Sequence, residues 1–332
     1  MKIFKLTILL IALTFINKVK AQETIPIYFD YLSDNVYLLH PAAAGIGNCA
    51  KLRLSYGKQW AGVANAPGLQ TLSYHSRMSG ESQIGLGGIV YNDSNGNHSQ
   101  LGAQGTVAYH IDMGGSNFSQ LSFAISGMFT EMKLDQSNFI LPGEPADEVI
   151  TNLVQAENYY NADFGMAYHY KTGFAYFTIK NLLLQARNLE NSTYESLNLR
   201  RYLFSLGYFF ENERPNRLSF EPSVMVQFVE HTGEIIGDFN LKAYKKMDKG
   251  NTLWAAVSYR RSFEGNKYQP LTQITPIIGM NFKKVMVSYT YTQSLGKIVF
   301  DNSGFHQLSI GIDLFCKEAR ASACPNVNSN FR

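Results

Sequence analysis

Apolar and polar residues alternate one by one through most of the chain, and this rhythm limits what the chain can fold into more than any other feature. The last segment shows it best: Leu308, Ile310, Ile312 and Leu314 alternate with Gln307, Ser309, Gly311 and Asp313. Successive side chains of a strand point to opposite faces, so each such segment has one apolar and one polar face. The pattern recurs in Leu121, Phe123 and Ile125 against Ser122, Ala124 and Ser126, and in Tyr202, Phe204, Leu206 and Tyr208 against Leu203, Ser205, Gly207 and Phe209. It appears again in Val285, Val287, Tyr289 and Tyr291 against Met286, Ser288, Thr290 and Thr292. Breaks at Gly, Asn, Asp and Pro clusters divide it into about fourteen strands. They start near Lys51, Leu69, Gln83, Ser99, Ser119, Tyr160, Gly173, Arg200, Asn216, Gly233, Asn251, Thr272, Lys284 and Gly304. Most run about 10 to 14 residues, longer than the ~5–6 of soluble sheets and close to the ~9–11 that a tilted strand needs to cross a bilayer. Only Pro145 to Asn158 has room for a helical turn or two.

The connections test this reading independently, because bacterial outer-membrane barrels have short periplasmic turns and longer outer loops. With the N-terminus periplasmic, the even-numbered connections should be short. Ser79 to Ser82, Asp112 to Phe118, Lys171 to Thr172, Glu211 to Pro215, Lys246 to Gly250 and Phe282 to Lys283 all are. Among the odd-numbered ones, Leu134 to Tyr159 and Leu182 to Leu199 are long, Phe263 to Leu271 and Leu295 to Ser303 intermediate, and Glu230 to Thr232 is the exception.

A secreted β-sandwich or propeller would also alternate, but no repeat of about 40 to 50 residues is visible. The polar faces hold Gly, Ser, Thr and Gln with few charges, while the apolar faces are rich in Tyr and Phe, of which the whole chain has 20 and 22, as expected of interfacial girdles. A closed barrel also removes the strand edges that lipid cannot satisfy. The predicted fold is all-β: a transmembrane antiparallel β-barrel of about 14 strands in a Gram-negative outer membrane.

Residues 1–21 read as a signal peptide: Lys2 and Lys5, the apolar run Ile8 to Leu13, then Val19-Lys20-Ala21 matching a small-x-small cleavage site. The chain then divides into an N-terminal periplasmic or plug segment (22–50), the barrel (51–315) and a periplasmic tail (316–332), with both termini periplasmic. The segment 22–50 contains Pro26, Tyr28, Phe29, Tyr31 and Tyr37, enough bulk to fill a lumen. The leader carries four lysines and no acid; taking these from the 29 basic residues leaves 25 against 26 acidic ones. The formal charge of +3 thus belongs to targeting, and no nucleic-acid footprint remains. Three cysteines in an exported chain allow at most one disulfide: Cys316 with Cys324 locally, or Cys49 with Cys316 if the first and last strands are neighbours.

The search for chemistry returns little. There is no Gly-x-Ser-x-Gly elbow, His-Glu-x-x-His pair or Walker loop. "GLGG", Gly85 to Gly88, reads as strand glycines that let a barrel bend or a backbone approach closely. His40, His75, His98, His110, His169, His231 and His306 scatter without metal-ligand spacing. Arg200, Arg201, Arg214, Arg217, Arg260 and Arg261 fall at or near strand ends, where headgroup-level or lumenal charge is expected. No enzymatic activity, cofactor or metal is expected.

"LLHPAAAG", Leu38 to Gly45, followed by "RLSYGKQWAGVANAPG", Arg53 to Gly68, resembles the opening of the type IX secretion system membrane proteins called PorP/SprF, found in the Bacteroidetes. That opening has an Asn-Pro-Ala-x-x-Gly segment, a first strand ending in Gln-Trp-x-Gly, and a Gly-Ala-Pro step into the second strand. "GLGGIVYND" (Gly85 to Asp93), "ADFGMAYHY" (Ala162 to Tyr170), "FEPSVMVQF" (Phe220 to Phe228) and "HQLSIGIDLF" (His306 to Phe315) continue the likeness in order. The chain departs from it at His40, where Asn is usual, and at Gly57, Asn65, Leu69 and Gln307, where Arg, Gly, Thr and Glu are common. The resemblance implies a non-enzymatic outer-membrane barrel serving protein secretion. Its implied partners are the C-terminal domain of a large secreted adhesin of the kind used in gliding, periplasmic ring or peptidoglycan-binding components of the secretion machinery, and outer-membrane lipid.

Within that reading, Gln59, Trp60 and Pro67 are candidates for a rim that receives the partner domain, since Trp is favoured as an anchor. The competing role for Trp60 is a girdle or loop-packing residue, and for Pro67 a rigid turn. Ile140, Leu141 and Pro142, in the long fifth connection, complete the candidate surface. A second reading, from another class, is a transporter of hydrophobic molecules like the fatty-acid channels, which needs an apolar path and a plug that moves.

Overall fold

The computed structural model describes residues 31–60, 62–63, 65–79, 82–114, 119–137, 154–183, 200–212, 217–247, 250–263, 272–295 and 304–316. The signal peptide, the tail beyond Cys316, Cys324, Arg214 and the loop residues Ile140, Leu141 and Pro142 lie outside them. Fourteen strands form: β1 (Ala50–Gln59), β2 (Gly68–Arg77), β3 (Ile84–Asn95), β4 (His98–Asp112), β5 (Ser119–Asp135), β6 (Val154–Tyr170), β7 (Gly173–Lys180), β8 (Arg201–Tyr208), β9 (Leu218–Val229), β10 (Ile235–Lys246), β11 (Thr252–Ser262), β12 (Thr272–Phe282), β13 (Val285–Ser294) and β14 (Phe305–Leu314). Each pairs antiparallel with its sequence neighbours, and β1 closes on β14 from Ala50↔Leu314 to Gln59↔Phe305.

The phase of the alternation identifies the surroundings. In β14, Leu308 is 47% exposed while Gln307 beside it is 3% exposed. Every strand named above for its alternation repeats this: Ile125, Phe204, Leu206, Tyr208, Val287 and Tyr289 face outward, and Ser122, Ser126, Ser205, Ser288 and Thr290 are buried within. A water-soluble sheet would bury the first set; apolar-out and polar-in is the phase of a barrel in lipid.

Strand adjacency also decides the cysteines. Because β1 and β14 are neighbours, Cys49 and Cys316 emerge side by side, with Cα atoms 4.0 Å apart, and form the disulfide. The local Cys316–Cys324 option is thereby set aside.

Two strand limits differ from the sequence reading. β6 begins at Val154, not near Tyr160, and pairs with β5 along its whole length, Val154↔Asp135 to Tyr170↔Ser119. Residues 154–158 are therefore strand, where a helical turn was expected. β3 and β4 are joined by Gly96 and Asn97 alone, so a long hairpin stands where the odd-numbered rule calls for a long loop. The wall is correspondingly uneven: β5 and β6 have 17 residues each and β7 and β8 have 8 each. At ~3.3 Å per residue that is about 56 Å against about 26 Å along the strand. The β4–β6 wall thus stands beyond the apolar band, and there Tyr91, Met128, Met132 and Tyr159 pack together on its inner face.

Candidate functional site: a filled lumen and a tethered loop

Residues 31–49 run inside the barrel. Two short 3₁₀ helices, Val36–Leu38 and Pro41–Ala43, compact the segment. His40 is extended, as a residue before proline prefers, and Pro41 starts the second helix with its φ preset. The run Ala42–Ala44 has almost no side chain, which lets this stretch of backbone lie against the wall, and all three residues are buried. The wall answers with glycine: a Cβ on Gly85 would strike the Ala44 carbonyl, and one on Gly87 would strike the Tyr37 ring. The close backbone approach read from "GLGG" is thus made by the plug.

Hydrogen bonds fasten the plug around the circumference. Tyr37 donates its hydroxyl to Thr106 of β4 (2.8 Å), and Asn35 donates to Ser73 of β2 (3.0 Å). His40 bridges Thr178 of β7 and Ser205 of β8, each 2.8 Å from one ring nitrogen, and stacks on Tyr176 with centroids 4.8 Å apart. Gly45 N–H donates to His75 Nδ1 (3.0 Å), and His110 Nε2 donates to the Ala44 carbonyl (2.9 Å). At the other end Asn240 donates to the Tyr31 hydroxyl (2.9 Å), which itself points at Asp238 (3.3 Å), and Lys242 donates to the Leu32 carbonyl (3.1 Å).

Asp34 is the one charged residue from 31 to 49. It meets Lys51 Nζ at 3.1 Å and Arg53 Nη2 at 2.8 Å, and Arg53 also holds Asp313 of β14 at 2.7 Å. Burial by itself would raise the Asp34 carboxyl; the adjacent Lys51 and Arg53 cations outweigh it and hold the group well below the usual carboxylate range. The His40 imidazole is pulled down to about 3, first by burial and then by the Lys180 charge, so it docks neutral. Other inward charges pair across the wall: Lys180 with Asp163 at 3.1 Å, and Arg260 with Asp238 at 2.6 Å. Among the described strand-end arginines, Arg260 faces the lumen against Asp238, whereas Arg200 lies at the rim, 3.3 Å from Glu230.

Apart from the histidines and the bulky Tyr31 and Tyr37, no plug anchor was singled out by sequence, although two signals were present. Lys51 and Arg53 are charges two apart on a strand, hence on one face, and Asp34 is isolated in an otherwise uncharged segment. Among the described residues no group of three or more His, Cys, Asp or Glu converges as a metal site would.

The structure brings Gln59, Trp60 and Pro67 together at the foot of the β1–β2 connection. Gln59 N–H donates to the Pro67 carbonyl at 2.9 Å, so the loop closes at its neck. Trp60 N–H reaches the Gly304 carbonyl at 3.3 Å, tying the loop to the start of β14, and Gly96 N–H reaches the Asn65 carbonyl at 3.2 Å, tying it to the β3–β4 turn. Trp60 and Asn65 hold left-handed backbone, with φ of 53° and 55°. Pro67 is buried, Trp60 half-buried, and Val63 at the tip 48% exposed. The Trp60 backbone thus anchors the loop, and Val63 gives the loop an exposed apolar tip.

A fourteen-strand outer-membrane barrel with a filled lumen and this opening sequence matches one family model, type IX secretion system membrane protein PorP/SprF, over residues 20–312. The chain belongs to that family. As a PorP/SprF protein it is an outer-membrane barrel of a type IX secretion family. No curated protein matches the sequence. Among solved structures it is similar to a deltaS2S3 mutant of the TodX monoaromatic hydrocarbon channel (10% identity, 84% of this chain and 93% of that one, TM-score 0.50). It also resembles the CymD monoaromatic hydrocarbon channel (9%, 87% and 94%, TM-score 0.49) and the Ralstonia pickettii toluene transporter TbuX (10%, 84% and 92%, TM-score 0.49). At such identities the likeness is one of barrel fold alone.

Proposed function

We propose that this PorP/SprF protein is a non-catalytic partner in type IX secretion, which assists the export or surface anchoring of a large adhesin by receiving its C-terminal domain. The family match over residues 20–312 carries the proposal. The filled lumen supports it, because a cargo polypeptide has no room beside residues 31–49 and must engage the barrel from outside. The receiving surface in this reading is the rim at Gln59 and Trp60, with Pro67 buried beneath it holding the loop's neck, and Ile140, Leu141 and Pro142 of the fifth connection are further candidates for it. Both termini face the periplasm, within reach of ring or peptidoglycan-binding components.

The test is purification of the tagged protein from its own outer membrane in mild detergent, with bound proteins identified by mass spectrometry. A large adhesin or its C-terminal domain is expected. Trp60→Ala should reduce its recovery about tenfold or more, as loss of an interface anchor does, while the barrel's heat-modifiable migration on gels stays the same. Recovery of periplasmic ring components without any adhesin would shift the role to the core machinery. Recovery of no secretion component at all would refute the proposal.

A further inference from the structure

On the lipid-facing wall at the short-turn end, a cleft of about 600 Å³ opens between β6, β7, β8 and β9. Tyr170, Ala175, Leu206, Tyr208 and Val224 line it, and its surface is almost wholly apolar. Its origin is a fault in the sheet. The β8–β9 ladder runs to Gly207↔Ser223 and resumes only as the bridge Phe210↔Phe220, where both N–H···O bonds form (2.8 and 3.1 Å). Alternation of an antiparallel ladder puts the missing hydrogen-bonded pair at Tyr208 and Pro222, and proline has no N–H to give. Small outward groups at Ala175 and Pro222 then leave a hollow between tall tyrosines. Behind it Gly207 has no side chain, and the Phe174 ring takes that space.

We propose that this cleft is a specific phospholipid site, with one acyl chain in the hollow and the phosphate at Lys171. Three observations carry it. The volume lies within the roughly 300–1,000 Å³ of small-molecule sites, and the opening faces the bilayer. Lys171, in the β6–β7 turn, projects beside the mouth with its ammonium 5.6 Å from the centre of the Tyr170 ring, which places a cation at headgroup level. The cleft is also a dead end: the Phe174 ring closes its inner side, and the lumenal cavity beyond that ring measures about 40 Å³, far less than the cleft itself. A chain entering from the membrane therefore stops at Phe174 and stays bound, unlike a substrate in transit. The site is independent of the secretion role proposed above, and its test involves no secretion component.

Delipidated protein in detergent is titrated by native mass spectrometry with phosphatidylglycerol and, separately, with a diacylglycerol of the same chains. One phosphatidylglycerol should bind well before any further copies. Ala175→Trp fills the hollow from the lipid side and should weaken that first binding at least tenfold; Leu206→Trp, also outward-facing, serves the same purpose should the first variant fail to show the heat-modifiable migration of a folded barrel. Lys171→Glu should weaken phosphatidylglycerol several-fold and leave diacylglycerol unchanged. Equal lipid retention by wild type and a folded cleft-filling variant would overturn the site, and equal loss of both lipids in Lys171→Glu would overturn the phosphate contact.

Discussion

From Tyr31 to Asp34 the plug is held by charge, through Asp34 between Lys51 and Arg53 and through the Leu32 carbonyl on Lys242. From Tyr37 to Gly45 it is held by shape and neutral hydrogen bonds: Tyr37 over Gly87, Ala44 against Gly85, and His40 between two hydroxyls. The charged half contributes little net stability over an apolar replacement, because desolvating ions nearly cancels their attraction, yet breaking it is costly. The packed half gains from each contact but tolerates no added volume. A polar lumen wall therefore accepts a plug by two routes, one specifying where the plug sits and the other how closely it fits.

The largest effect should come from Asp34→Ala. It leaves Lys51 buried without its carboxylate, while Arg53 keeps Asp313, so the cost falls near the low end of the known range, about 3 kcal/mol of plug docking. Protease accessibility of residues 31–45 in the folded barrel would measure it, and unchanged protection would remove charge as the anchor of that half. Gly87→Val, which drives a methyl into the Tyr37 ring, should cost about 1–3 kcal/mol by overpacking, seen as a lower melting temperature of the barrel.

Acid should separate the halves. His40 docks with its pKa lowered to about 3, while a free imidazole titrates near ~6.5, so below that pH the undocked plug takes a proton that the docked plug refuses. Docking at His40 then weakens by about 1.4 kcal/mol per pH unit as pH falls from ~6.5. Asp34 behaves differently: its lowered pKa means the pairing is intact above the unpaired value of ~3.9 and is lost only as pH falls below it. Hydrogen exchange at pH 7 and pH 5, corrected for intrinsic rates, should show faster opening of Tyr37–Ala44 with Tyr31–Asp34 unchanged. His40→Leu should reduce that difference, leaving the part that comes from His75 and His110, which hold Gly45 and Ala44. The smallest effect belongs to Lys246→Ala, which removes an exposed pair with Glu211 and should change barrel stability by no more than about 1 kcal/mol.

Strands were legible because lipid demands an unbroken apolar face, and it wrote period two into every crossing. The signal failed where lipid ends. At Val154 to Asn158 the outward residues Val154, Ala156 and Asn158 lie above the apolar band and are free to be polar, so β6 looked like a helical loop. The β3–β4 hairpin misled for the same reason, since length that elsewhere is loop is there carried by strand. The plug's bulk was visible, but not its contacts: Leu32 with Lys242, Tyr31 with Asp238 and His40 with Ser205 join positions far apart in sequence, and only barrel closure brings them together. Trp60 and Pro67 stood out because they interrupt the alternation, and both lie where the loop is tied down.

The central claim is that a sealed barrel serves as a docking partner and not as a conduit, and conductance in planar bilayers tests it most directly. Wild-type protein should insert without steady channels, and Asp34→Ala should show intermittent openings as the plug loosens. A wild-type protein that conducts steadily would contradict the account, because residues 31–49 would then not fill the lumen.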